Sequence, residues 1–176
     1  MSLLQRLLGR PDPGQEQVRP LWHRVVELSR DPDWYRPAPD GGGIADTVPG
    51  RFDAITLVLS LVMLRMEGAD ALRAPSARLT ELFVKDMDGQ LRQSGVGDLV
   101  VGKKVGKLMG ALGGRIDSFR EALAQPDDAA LIAAIERNVT LSEDGNPAAI
   151  ATRMRALAGR LAAIDSADLL AGTIPA

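Results

Sequence analysis

The chain predicts an all-α protein: a single compact helical domain of about six to seven helices. Apolar residues recur at helical spacing through most of its 176 residues. No stretch alternates apolar and polar residues as a half-buried strand does. The interruptions fall at proline and glycine clusters, which punctuate helices. The length suits one domain with a real core, and 45% hydrophobic with 25% charged residues is ordinary for a soluble protein. No repeat of fixed long period is present.

Residues 1–14 read as a flexible or weakly amphipathic segment, set apart from a helical domain over 15–176. Leu3, Leu4, Leu7 and Leu8 share one side of a short helix, and Pro11, Pro13 and Gly14 then break the chain. Such a segment is either a frayed end or an interfacial anchor. Gln15 to Arg30 predicts a helix with Val18, Leu21, Trp22, Val25 and Val26 inward, and with Pro20 tolerated near its start. His23, the sole histidine, has no catalytic or ligating company nearby and reads as a surface or packing residue.

Asp31 to Thr47 predicts a long loop, its first half pinned by Trp34 and Tyr35 and its mobile part marked by Gly41, Gly42 and Gly43. Thr47 then caps a helix in which Pro49 fills an early position. Phe52, Ile55, Val58, Leu59, Val62 and Met66 line one side of it, and Leu57, Leu61 and Leu64 cover much of the other. A helix so apolar all round is the expected buried centre. Ser76 to Ser94 follows, with Leu79, Leu82, Phe83, Met87 and Leu91 inward and Asp88 spaced to pair with Arg92. Asp86-Met87-Asp88-Gly89 does not open a calcium loop, because Leu91 stands where that loop requires glycine.

The stretch from Gly95 to Ile116 holds seven of the 18 glycines. Wound as a helix, it has three sides. Val101, Val105, Leu108, Met109, Leu112 and Ile116 form an apolar arc, while Gly102, Gly106, Gly110 and Gly113 form a bare one. Lys103, Lys104, Lys107 and Arg115 form a basic one, and Asp98 is placed to cap the start. Three mid-helix glycines cost about 3 kcal/mol relative to alanine. That cost favours a tight helix crossing inside the protein at Gly102, Gly106 and Gly110; the other reading is a docking groove for a partner's helix. Two nucleotide motifs fail. Gly97 to Lys103 spells the start of a phosphate loop, but Lys104 replaces its Mg²⁺-binding hydroxyl, and Val100 replaces the third glycine of a dinucleotide fingerprint.

Beyond Gln125-Pro126 the composition turns alanine-rich. Asp127 and Asp128 favour a helix start with Leu131, Ile132 and Ile135 inward. Asn146-Pro147 opens another, carrying Ile150, Met154, Leu157, Leu161 and Ile164, with Arg153, Arg155 and Arg160 facing solvent. With no cysteine, disulfides, thiolate metal sites and cysteine nucleophiles are excluded. A net charge of -2 argues against a general nucleic-acid binder. The N-terminus lacks a signal peptide's long apolar core, and no apolar run is long enough to span a bilayer, so a cytoplasmic protein is expected.

Asp46-Thr47 with Arg51-Phe52, Lys85 to Asp88 running into Leu91-Arg92, and then Gly95 to Lys104 together resemble the ubiquinol–cytochrome c chaperone family. The resemblance covers a core of about 34–123, with C-terminal helices over 127–170. It implies a non-enzymatic assembly factor for the cytochrome b–c1 complex that acts on newly made cytochrome b. No cofactor, metal or small-molecule substrate is then expected. Mitochondrial relatives also associate with the ribosome near the tunnel exit. The client, an anionic membrane surface on the cytoplasmic face of the inner membrane, or ribosomal RNA would meet Lys103, Lys104, Lys107 and Arg115. Gly102, Gly106 and Gly110 would give close packing, while Asp46, Thr47, Arg51 and Asp98 hold the scaffold by capping and ion pairing. Two other readings stay open. One is an RNA- or membrane-surface-contacting adaptor. The other is a small helical enzyme using Asp or Glu with Lys or Tyr35 beside the Trp34–Thr47 loop; it requires a deep pocket of converging carboxylates, where a chaperone requires an exposed apolar or basic groove.

Overall fold

Thr47 opens the helix on which the rest of the fold is assembled. Its hydroxyl accepts from the Gly50 N–H at 3.3 Å, and Pro49 sits in the first turn, where its missing N–H costs nothing. The computed structural model describes residues 13–93 and 98–175, those at 90–93 and 98–105 by their backbone alone. Seven α-helices lie within the described residues: α1 (Pro13–Ser29), α2 (Val48–Glu67), α3 (Arg73–Gln93), α4 (Asp98–Leu123), α5 (Ala129–Asn138), α6 (Pro147–Ala163) and α7 (Ser166–Leu170). Turns of 3₁₀-helix at Pro32–Trp34 and Asp70–Leu72 lead out of α1 and into α3. The only bridge of β type among these residues is an isolated antiparallel one between Ile44 and Leu141.

Helix α2 is central, as its all-round apolarity predicts: it packs on α1, α3, α4 and α6. Helix α1 lies along α3, while α5 joins α4 to α6. Leu57, Val58, Leu59, Leu61, Val62 and Met66 are all buried. Three polar residues of α2, Asp53, Thr56 and Ser60, are buried too. Thr56 and Ser60 return their hydroxyls to the carbonyls of Phe52 and Thr56 at 3.0 and 2.6 Å, so neither is left unsatisfied.

Asp53 is only 5% exposed, yet both its oxygens are taken. Oδ1 accepts from Arg115 Nη2 of α4 at 2.5 Å, and Oδ2 accepts from the Thr140 N–H and hydroxyl at 2.8 and 2.7 Å. Arg115 Nη1 donates to the Thr56 hydroxyl, and the guanidinium sits 5.4 Å from the Phe52 ring centroid. One carboxylate thus ties α2 to α4 and to the segment leaving α5.

Several expectations are corrected. The triple glycine is not mobile: Gly41 to Ile44 are buried, with the Gly42 and Gly43 N–H groups on the carbonyls of Asp33 and Arg36 at 2.9 and 2.8 Å. The carbonyls of Gly42 and Gly43 in turn accept from the N–H groups of Asn146 and Ser142. A Cβ on Gly42 would lie 2.6 Å from Ile150 Cγ1, so glycine serves close approach there. The pinned first half is as expected, with Trp34 Nε1 and the Tyr35 hydroxyl donating to the carbonyls of Leu28 and Ser29 at 2.9 and 2.8 Å. Helix α1 continues through Pro20 rather than starting near it; Pro20 is exposed, so the Glu16 carbonyl it leaves unpaired can meet water.

Arg153 and Arg155 do not simply face solvent. Arg153 pairs with Asp33 at 2.8 Å and stacks 5.4 Å from the Trp34 ring, while Arg155 holds Asp128 at 2.5 Å and the carbonyls of Leu123, Gln125 and Asp127. Helix α7, beyond the last predicted helix, is capped by Asp165, which accepts from the N–H groups of Ala167 and Asp168 at 2.9 Å.

Asp53→Ala leaves Arg115 buried without its counter-charge and is expected to cost about 3–5 kcal/mol in denaturant unfolding. Adding Arg115→Met should recover part of that loss. A single variant within about 1 kcal/mol of the wild type, or a strictly additive double variant, would contradict the assigned pair.

Candidate functional site

Arg19, Trp22 and Val26 recur at helical spacing along one side of α1, Arg30 continues the row just past its end, and this side faces α3 across a groove. Leu82, Lys85 and Asp86 form the α3 wall. Toward the end of α1 the groove opens into a cleft of about 830 Å³, bounded by Tyr35, Arg36, Asp46, Arg51, Ile55 and Met87. Trp22, Val26, Arg30 and Asp86 line both parts, so the two are continuous.

The floor is apolar and anchored. Trp22 is buried and donates its Nε1–H to Asp86 Oδ2 at 2.8 Å. Its ring meets Phe83 edge-on at 6.1 Å, and Phe83 lies 6.3 Å from Phe52, the ring under Arg115. A chain of aromatic contacts therefore connects the groove floor to the buried Asp53–Arg115 pair. The three Phe, two Trp and one Tyr of the whole chain are few, and three of the six stand in this row.

The rim is basic. Arg51 binds Asp46 at 2.6 Å, Arg36 binds Asp33 at 2.6 Å, and Arg19 binds Glu16 at 2.8 Å, all near the surface. The Arg51 guanidinium, hydrogen-bonded to Asp46, holds that carboxyl below its ordinary pKa. Arg30 and Lys85 are exposed and form no ion pair with a described residue. Tyr35 is half-buried; burial first, and the Asp46 charge second, lift its phenol above the ordinary value of 10.0.

The residues singled out in the sequence do not all gather here. Asp46, Thr47 and Arg51 stand at the cleft edge, with Thr47 capping α2 and Asp46 paired to Arg51. Asp98 begins α4; its side chain, those of Lys103 and Lys104, and the surroundings of Gly102 lie outside what the structure describes. Lys107 is exposed on α4. Arg115 is corrected: its side chain is 13% exposed and committed to Asp53, so it is a core residue and not a surface contact. At Gly106 and Gly110 the expected internal helix crossing is corrected as well. Gly106 and Gly110 are exposed, and a Cβ built on either would meet nothing within 4 Å. Leu112, Phe119 and Ala122, which hold α4 to its neighbours, sit on its other side.

Sequence reasoning missed the groove, although the row from Arg19 to Arg30, along α1 and just past its end, was readable as an apolar pair bracketed by arginines. The cleft does lie beside the Trp34–Thr47 loop, where an enzyme site was the competing expectation. Its two carboxylates are engaged: Asp46 with Arg51, and Asp86 with Trp22. No group of three or more His, Asp or Glu suited to a metal ion occurs among the described residues.

The family model described as "Ubiquinol-cytochrome C chaperone" matches residues 41–176, from the packed glycines through the last helix. The chain belongs to the ubiquinol–cytochrome c chaperone family. Its fold is similar to the crystal structure of the Cbp3 homolog from Brucella abortus, with a TM-score of 0.78 and 29% identity over 98% of this chain and 95% of that one. None of the curated proteins matches.

Because Tyr35 is the chain's single tyrosine, its ionisation can be followed alone by ultraviolet absorbance. A pKa raised by folding means the stabilisation it reflects is present below pH 10 and lost as pH climbs through the folded value. The phenolate should appear at higher pH in the native protein than in the denatured one. Coincident titrations would contradict the placement of Tyr35 in the cleft wall.

Proposed function

We propose that this chain is a non-enzymatic assembly chaperone for the ubiquinol–cytochrome c reductase complex and that it holds newly made cytochrome b without altering it chemically. The single observation that carries the reading is the family match over residues 41–176. The geometry supports it with a groove between α1 and α3 that has an apolar floor and a basic rim, open to a polypeptide segment. Lys103, Lys104 and Lys107 on α4 make a second contact, with the client or with the anionic cytoplasmic face of the inner membrane. Beside them, Gly106 and Gly110 leave bare backbone against which a client helix can lie closely. No described helix is long and apolar enough to cross a membrane, so such a membrane contact is peripheral. Association with the ribosome near the tunnel exit would present the chaperone to its client during synthesis.

Charge reversal at Lys103, Lys104 and Lys107 is expected to leave the melting transition unchanged and to lower the amount of assembled reductase in cells. Normal reductase levels would count against the basic contact. Gly110→Ala should raise stability by about 0.5–1 kcal/mol, because the helix gains propensity and nothing is displaced. If client helices pack on that side, the same variant should recover less cytochrome b in a pull-down. A stabilised variant with undiminished capture would reject the glycine side as a contact.

A further inference from the structure

We infer that the groove between α1 and α3 receives a short segment of the polypeptide client that presents isolated carboxylates on either side of an apolar side chain, with Arg30 and Lys85 as the groups that bind those carboxylates. This rests on the chaperone reading and names the chemistry of what is held.

The sign of the groove is opposite to that of the chain. Five cations line it (Arg19, Arg30, Arg36, Arg51 and Lys85) against three carboxylates, whereas the whole protein carries a net charge of -2. The carboxylates are already engaged: Glu27 pairs with Arg24 at 2.8 Å, Asp46 with Arg51, and Asp86 accepts from Trp22. Arg19, Arg36 and Arg51 have partners of their own. Arg30, just past the end of α1, and Lys85 on α3 stand on opposite walls with none among the described residues, so theirs is the positive charge left for an occupant.

Between them the floor offers Trp22 and Val26, and further along Ile55 and Met87, which accept an apolar side chain; methionine adapts to its shape. From Arg19 to Arg30 the α1 wall is about 16 Å long, room for a few extended residues or about three helical turns. Asp86 on the α3 wall repels a continuous acidic run and so selects separated carboxylates.

A lipid surface fits less well. Membrane-binding faces project their apolar side chains outward, whereas these are recessed. Among the described residues Val48, at the start of α2, is the one large hydrophobic side chain that is exposed.

The test titrates the full-length protein with fluorescent synthetic peptides of one length, in which a leucine is flanked by two glutamates, two glutamines or two lysines. Phosphatidylglycerol vesicles and oligouridylate serve as alternative occupants. The glutamate peptide should bind about tenfold more tightly than the glutamine peptide and weaken as salt rises. Arg30→Gln with Lys85→Gln should erase that advantage, while Arg137→Gln, at an exposed position of α5 outside the groove, should leave it intact. Both groove positions are exposed, and unchanged circular dichroism checks that the fold is kept. Equal binding of glutamate and glutamine peptides would overturn the inference. So would an advantage that survives the double substitution, or vesicle or oligonucleotide binding that needs Arg30 and Lys85 when the peptide does not bind. Reductase levels in cells lacking the chain test the underlying reading separately. If they fall while the peptide titration fails, the chaperone reading stands and the groove assignment is lost; if they are normal, the chaperone reading is lost.

Discussion

Asp53 and Arg115 form a charge pair in the interior of a largely apolar helical core, and most of the arrangement follows from where that pair sits. Side-chain exposures of 7% and 13% mean that neither charge keeps its water. Taking two charges from water is costly, and their attraction compensates only when the remaining hydrogen-bonding capacity is also filled. Thr140 fills it for the aspartate and Thr56 for the arginine. A pair of hydrophobic residues of like volume could stabilise as well. What the ion pair adds is a definite register, since α4 cannot slide along α2 without stranding a buried charge. It also connects to the groove floor, because Phe52 lies under Arg115 and leads through Phe83 to Trp22.

Arginine carries much of the remaining cross-linking. Arg65 donates to the carbonyls of Leu161 and Ile164 at the end of α6, at 2.9 and 2.7 Å. Arg24 donates through Nε to the Ile174 carbonyl at 2.9 Å and so ties the C-terminal segment to α1. Helix C-termini present carbonyls with no partner inside the helix, and a cation near them also suits the helix dipole. With so few aromatic side chains available, these polar clamps join elements far apart in sequence. They also divide the basic residues into two populations: those spent on the fold and those, like Arg30, Lys85 and Lys107, that still face outward.

The helices were legible because their signals are local. Apolar spacing marked α2 as the centre, and Thr47, Pro49, Asn146 and Pro147 marked where α2 and α6 begin. What failed to show depended on partners far along the chain. Asp53 sits in an apolar stretch like any tolerated polar residue, and its guanidinium partner is 62 positions away. Arg115 fell among the lysines when α4 was considered alone, since a helix in isolation shows which residues share a side but not which side is covered. The glycines of α4 told what could approach and not what does. At Gly41 to Gly43 the error ran the other way: residues that permit motion also permit contact, and Ile150 decides for contact. Of the candidate site, the edge at Asp46 and Arg51 was readable; the groove itself, assembled from three helices and a loop, was not.

The proposal that a client lies between α1 and α3 is tested most directly by placing a photoreactive residue at Val26 and irradiating cells during cytochrome b synthesis. The expected product is a covalent adduct with newly made cytochrome b that is absent when the photoreactive residue replaces exposed Ala162 at the end of α6. An adduct from Ala162 with none from Val26 would contradict it.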